Sequence, residues 1–231
     1  MAVHHLARLF VLMFSSFAQE VEDDINTFMT KVVQDGIVPD VIQRTPQAML
    51  TFSFIKKDVT LGAAVTPEES FESPIDVRFP HTAGSYYTLL MLGPDVPSRS
   101  DPSLRSVLHW LVVNIKVGKA FDSDPVDYNT GTILMYYHGP QPTNGTGLHR
   151  VVVVAYKQDK MIYDAEKLIV PFNERYGFAL SKFAAEQELG EPVALNYFVT
   201  SRESLSKGEA LASHWWTLNC VIILHGIRLL T

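Results

Sequence analysis

Tyr137-His138-Gly139-Pro140-Gln141-Pro142-Thr143-Asn144-Gly145-Thr146-Gly147-Leu148-His149-Arg150 runs straight into Val151-Val152-Val153-Val154-Ala155-Tyr156. A loop rich in glycine and proline hands over to an apolar β run, with a His-Arg pair at the junction. Glycine lets backbone N–H groups approach a ligand closely and accepts unusual backbone angles. Successive exposed N–H groups form a concavity that suits anions. The pair adds one switchable and one permanent positive charge. The stretch reads as an anion-binding pocket at the end of a strand.

Outward from it, further runs rich in β-branched and aromatic residues follow one another: Met49 to Ile55, Ile75 to Phe79, Tyr86 to Leu92, Leu108 to Lys116, Thr132 to Tyr137 and Val193 to Val199. Pro, Gly, Asp and Ser punctuate them. Helical spacing occurs in two places. Val21, Ile25, Phe28, Met29 and Val32 form an apolar stripe closed by Gly36, and Asn173 to Leu189 repeats the pattern through Leu180, Phe183, Ala184 and Leu189. The pattern predicts a mainly β domain with a few peripheral α-helices. It lacks βαβ alternation, which argues against a doubly wound nucleotide-binding fold.

A second loop block, Gly93-Pro94-Asp95-Val96-Pro97-Ser98-Arg99-Ser100-Asp101-Pro102, precedes His109-Trp110-Leu111-Val112-Val113-Asn114. Together with the first loop it resembles the signature segments of the phosphatidylethanolamine-binding protein family, which includes the Raf kinase inhibitor proteins. The family patterns are roughly D-P-D-x-P-S-R-x-D-P, then H-x-x-x-N, and G-P-x-P-P-x-G-T-G-L-H-R. Ile37 to Ile42 and Leu189 to Phe198 resemble two further family blocks, so the resemblance spans about residues 30 to 200. It implies a β-sheet sandwich core with a small ligand pocket.

What the resemblance implies for the site is specific. His109 matches the first pocket histidine, Gly139-Pro140 the G-P pair and His149 the second histidine. Backbone amides of Gly139 and Gly147 are expected as anion donors. Asp95 is retained among the ligand-binding candidates, although capping a turn or pairing with Arg150 between the two loops is the favoured role. Two positions depart from the family: Gly93 stands where its first Asp belongs, and Val151 where many members have Tyr. Losing a carboxylate should favour an anion and remove an acceptor for an ammonium group. Without the resemblance, His109 on an apolar strand would read as a satisfied core histidine, and His138 as a solvated loop residue near the mouth. With an ordinary His pKa of roughly 6.5, His109 and His149 predict anion affinity that falls between about pH 5.5 and 8.

Composition bounds the rest. The chain has 231 residues, 47% of them apolar, and a net charge of −6. One domain with a sizeable core is expected, and general attraction to nucleic acid is disfavoured. Arg8, the apolar run Leu9 to Phe14, and Ser16 and Ala18 at the −3 and −1 positions read as a signal peptide over residues 1–18, hence a secreted protein. Residues 19–200 form the expected domain. Residues 201–231 form a tail that departs from the family, with an apolar end too short for a comfortable membrane span. A lipid-anchor signal there is the rival reading, opposed by His225 and Arg228. The single cysteine, Cys220, rules out an intrachain disulfide and sits in no catalytic context. Asn144-Gly145-Thr146 is a glycosylation sequon inside the pocket loop.

No G-x-S-x-G, H-E-x-x-H, P-loop or C-x-x-C motif occurs, so no enzyme and no cofactor is expected. A zinc site from Asp95, His109, His138 and His149 has no recognised ligand spacing. The expected function is a secreted, non-catalytic binding protein for a phosphate-bearing small molecule or phospholipid headgroup. The alternative is a protein inhibitor, of an extracellular serine protease or, less compatibly with secretion, a kinase. A carrier of odorants would need a deeper apolar cavity.

Overall fold

The structure, a computed structural model, describes residues 19, 22–46, 48–118 and 124–203. The expected signal segment, almost all of the expected tail and Cys220 lie outside the described residues.

Among these residues the chain forms ten strands: β1 (Ala48–Met49), β2 (Thr51–Phe54), β3 (Lys57–Val59), β4 (Ala63–Ala64), β5 (Asp76–Arg78), β6 (Tyr86–Gly93), β7 (Val107–Lys116), β8 (Thr132–Met135), β9 (His149–Gln158) and β10 (Pro192–Thr200). The large sheet runs β1-β10-β9-β6-β7-β8, and β4 also pairs with β10. A small sheet runs β3-β2-β5. The long strands pair antiparallel, while β1 and β4 lie parallel to β10.

Both faces of the large sheet are covered, which explains why its strands read as continuous apolar runs rather than as alternation. Side chains still alternate between faces with period two. Leu90, Leu92, Val152, Val154 and Tyr197 share one core with Phe28, Val32 and Leu180 of the helices. Leu89, Met91, Val151, Val153 and Phe198 face the small sheet through Phe52, Phe54, Val77 and Phe79. The Phe54 ring meets the Phe198 ring edge-on at 5.8 Å, locking the two sheets together. This is a mainly β fold with few helices, as expected.

Helix α1 spans residues 22–34. Phe28 and Val32 face the core, whereas Ile25 and Met29, grouped with them by spacing, are half exposed. Gly36 ends it at φ +71°, Gly36 N–H donates to the Val33 carbonyl and Ile37 N–H to the Val32 carbonyl. That is the Schellman arrangement, and the Val32–Ile37 pair that closes it is fully buried.

Two expectations need correction. Met49 to Ile55 is not one strand: β1 lies in the large sheet and β2 in the small one, with Leu50 N–H donating to the Leu195 carbonyl between them. The chain changes sheets there to bury Leu50 and Phe52 together. Nor is Asn173 to Leu189 one helix. A 3₁₀ turn (Phe172–Glu174) comes first, and helix α2 covers only Leu180–Glu186. Between them the Arg175 carbonyl accepts from Leu108 N–H and Phe178 N–H donates to the Ser106 carbonyl. Pairing with the start of β7, with Gly177 at φ +71°, replaces the helical ladder.

Candidate functional site

Strand pairing brings the two loop blocks together. Gly93 at the end of β6 faces Val107 at the start of β7, and His149 at the start of β9 faces Thr200 at the end of β10. At this end of the sheet lies a cavity of about 340 Å³. His109, Gly139, Pro140 and His149 line it, together with His138, Gly93 and Val151. Asp95 and Gly147 do not.

Asp95 is 1% exposed and faces Arg150 behind the wall. Arg150 Nε and Nη2 donate to its two oxygens at 2.9 and 2.6 Å, and Arg150 N–H adds a third bond at 2.9 Å. Such bidentate, charge-assisted bonds are the strong kind. The same guanidinium reaches Asp40 at 2.8 Å and the Gly36 carbonyl at 2.6 Å, so it ties both loops to the end of α1. Burial opposes its charge, but the bonds to Asp95 and Asp40 raise its pKa. Gly147, at φ +73°, belongs instead to a shallow surface hollow with Arg99 and Glu203. It shapes the turn and donates nothing to the cavity.

Gly139 has a packing reason. A Cβ there would sit 2.4 Å from the Ser70 carbonyl oxygen. The 136–142 loop is pressed onto the 66–73 segment, where Tyr137 Oη donates to the same carbonyl at 2.5 Å. His138 N–H donates to the His109 carbonyl at 2.9 Å, fixing the loop along β7.

The two histidines differ from expectation in charge. His109 is 6% exposed, and its Nδ1 lies 2.9 Å from the His138 carbonyl oxygen. Burial, with the nearby Arg175 charge, pushes its pKa down to about 3. His149 is also lowered by burial, although the Asp95 carboxylate and a hydrogen bond with the Asp95 backbone oppose this. Its Nε2 lies 2.7 Å from the Thr146 hydroxyl, which itself donates to the Thr143 carbonyl. The His109 ring is therefore neutral across the pH range in which the sequence predicts titration, and burial biases His149 toward its neutral form.

Gly93 is also not what its place in the motif suggests. A Cβ there would stand 2.8 Å from His109 Nε2. The His109 ring lies against the space into which a side chain at position 93 would project, so the missing carboxylate leaves no open gap there.

Sequence reading misses Arg175, Thr200, Phe172 and Tyr176, which also line the cavity. Arg175 is 3% exposed, stacks over the Phe172 ring at 4.9 Å and places Nη2 3.1 Å from His109 Nδ1. Inside a supposed helix it reads as a solvated charge; Gly177, two residues on, is the signal that the helix is broken there. No group of three or more His, Cys, Asp or Glu among the described residues is placed to hold a metal.

The family model for phosphatidylethanolamine-binding protein matches residues 45–198, which hold all ten strands but the last two residues of β10. The chain belongs to the phosphatidylethanolamine-binding protein family. It is 34% identical to the protein MOTHER of FT and TFL1 homolog 2 of Oryza sativa subsp. japonica, over 78% of this chain and 97% of the relative. It is 30% identical to a putative odorant-binding protein A5 of Drosophila melanogaster, over 85% and 89%. Two solved structures share the fold. A carboxypeptidase Y inhibitor, solved with its cognate proteinase, superposes with a TM-score of 0.65 at 23% identity, covering 77% of this chain and 96% of that one. The phosphatidylethanolamine-binding protein from Plasmodium vivax gives 0.64 at 21%, covering 76% and 97%. At these identities the likeness is one of fold alone.

Proposed function

We propose that this family member is a secreted, non-catalytic binding protein whose cavity takes a small oxyanion, carried by a phosphate-bearing molecule or a phospholipid headgroup. One observation supports it above the others. The cavity is lined by His109, His138, His149, Arg150 and Arg175, and no carboxylate is among the lining residues. A concave site with cationic and donor groups and no acid favours negative ligands. The rim adds the exposed side chains of Leu104, Phe172 and Tyr176, which suit an apolar part attached to the anion.

Native mass spectrometry against phosphate, phosphorylethanolamine and a lysophospholipid tests this reading. Binding of at least one is expected, and no complex at millimolar ligand would sink it. Export rests on the basic-then-apolar start and the small residues before Gln19; secreted material should begin at Gln19. Asn144 is exposed beside the cavity-lining Thr143, so a glycan there would stand at the entrance. The rival reading, inhibition of an extracellular protease, predicts inhibition in a protease panel that survives His109→Ala.

A further inference from the structure

We infer that Arg175 is the residue that binds the anion, and that its fixed charge, not a histidine charge, sets the site's preference. This rests on the anion-pocket reading above.

Arg175 is a cation buried without a counter-charge: it forms no ion pair with any described carboxylate. Its Nε has no hydrogen-bond partner among the described residues. Its Nη2 faces His109 Nδ1, but that nitrogen also faces the His138 carbonyl. A ring nitrogen is either a donor or an acceptor. If Nδ1 donates to the carbonyl, the guanidinium meets a donor. If it accepts from the guanidinium, the carbonyl meets an acceptor. In either tautomer one contact is wrong, and an acceptor arriving from the cavity resolves the conflict. Nδ1–H then stays on the His138 carbonyl, while the guanidinium turns its donors to the ligand. The Thr200 hydroxyl in the same wall is likewise buried without a partner among the described residues.

Arg150, in the same wall, shows what a structural arginine looks like. Its donors meet Asp95, Asp40 and the Gly36 carbonyl. An isolated buried charge is costly to keep unless something compensates it. A guanidinium fork matches two oxygens of a phosphate or sulfate group, and it remains charged at every pH a protein tolerates. The buried His109 ring supplies shape and position.

Isothermal titration calorimetry of the full chain with sulfate and with phosphorylethanolamine tests this, using the parent protein, Arg175→Met and Arg175→Lys. Sulfate, which does not titrate, should bind the parent with affinity constant within about twofold between about pH 5.5 and 8. Arg175→Met should weaken both ligands by roughly tenfold or more, and Arg175→Lys should retain part of the loss-sensitive affinity. A folded Arg175→Met protein that binds sulfate like the parent overturns the inference and leaves the pocket reading standing. So does parent affinity that falls about tenfold across the pH range, a result that needs no variant to fold. A parent that binds neither ligand removes the pocket reading and this inference with it.

Discussion

The two ends of the large sheet bury polar groups in opposite ways. At the far end, where β7 and β9 finish and β6 begins, every side-chain polar atom of Asn114 and Gln158 is matched. Gln158 Nε2 donates to Asn114 Oδ1 at 2.9 Å, and Asn114 Nδ2 donates to the Ile162 carbonyl at 2.9 Å. Ile162 N–H returns to Asn114 Oδ1 at 2.8 Å, while Asn114 N–H and the Thr88 hydroxyl donate to Gln158 Oε1 at 2.7 and 3.0 Å. At the cavity end, Arg175 Nε and the Thr200 hydroxyl have no partner among the described residues and His109 Nδ1 is claimed twice. The same three strands build both ends. A complete buried network holds a fold together; an incomplete one, in a wall that faces a cavity, marks the place where a ligand completes it.

The largest test falls on the complete end. Asn114→Ala removes the side-chain partner of both Ile162 backbone groups and leaves Gln158 Nε2 with its longer bond to the Lys160 carbonyl. It also places alanine at φ 59°, a conformation that asparagine tolerates better. Urea unfolding should show a loss of about 4 kcal/mol, while sulfate affinity of the folded protein stays unchanged. A loss below about 1 kcal/mol would mean the network is not structural.

Acid should act on the incomplete end. The His109 pKa lies near 3 when folded, against roughly 6.5 unfolded. Between these values the unfolded chain binds more protons, so stability rises with pH and is lost as pH falls. Ligand-free protein should lose on the order of 3 kcal/mol between about pH 6.5 and 4, with His149 adding in the same direction. His109→Leu should flatten that slope, and sulfate should shallow it by favouring the charged ring. A thermal midpoint that does not move over this range in sulfate-free buffer would show that the His109 ring is not shielded.

Gly139→Ala separates a packing glycine from a ligand-contacting one. The new methyl meets the Ser70 backbone, which yields only with the whole loop. A cost of about 2 kcal/mol is expected from differential scanning calorimetry. An unchanged midpoint would show that the loop is not pressed where the contact places it.

Much of this was legible beforehand. The apolar runs gave away β6, β7, β9 and β10 because both faces of their sheet are covered, and the loop motifs brought His109, Gly139 and His149 to one cavity through antiparallel pairing. Short strands such as β3 and β4 were hidden, because Lys57–Val59 and Ala63–Ala64 take their strand geometry from neighbours and not from composition. Arg175 was hidden for a related reason. Its burial follows from backbone bonds at Arg175 and Phe178 to the start of β7, contacts across some seventy residues that no local pattern encodes. The downward shift of the His109 and His149 pKa values was not legible because burial, unlike residue type, is a property of the folded wall.

The smallest expected effect discriminates most sharply between the two ends. Arg175→Met keeps an unbranched stem of similar reach and removes the charge. At the far end, removing a partner from a matched set always costs stability. At the cavity end, removing an unmatched cation from a site with no carboxylate in its lining should leave ligand-free stability unchanged or raise it by about 1 kcal/mol. The gain is small because the Phe172 stacking contact and the bond toward His109 are lost with the charge. Sulfate should then raise the melting temperature of the parent by mass action and that of the variant much less. If Arg175→Met is instead destabilised by more than about 1 kcal/mol in sulfate-free buffer, the guanidinium is matched in the free protein after all, and the contrast between the two ends disappears.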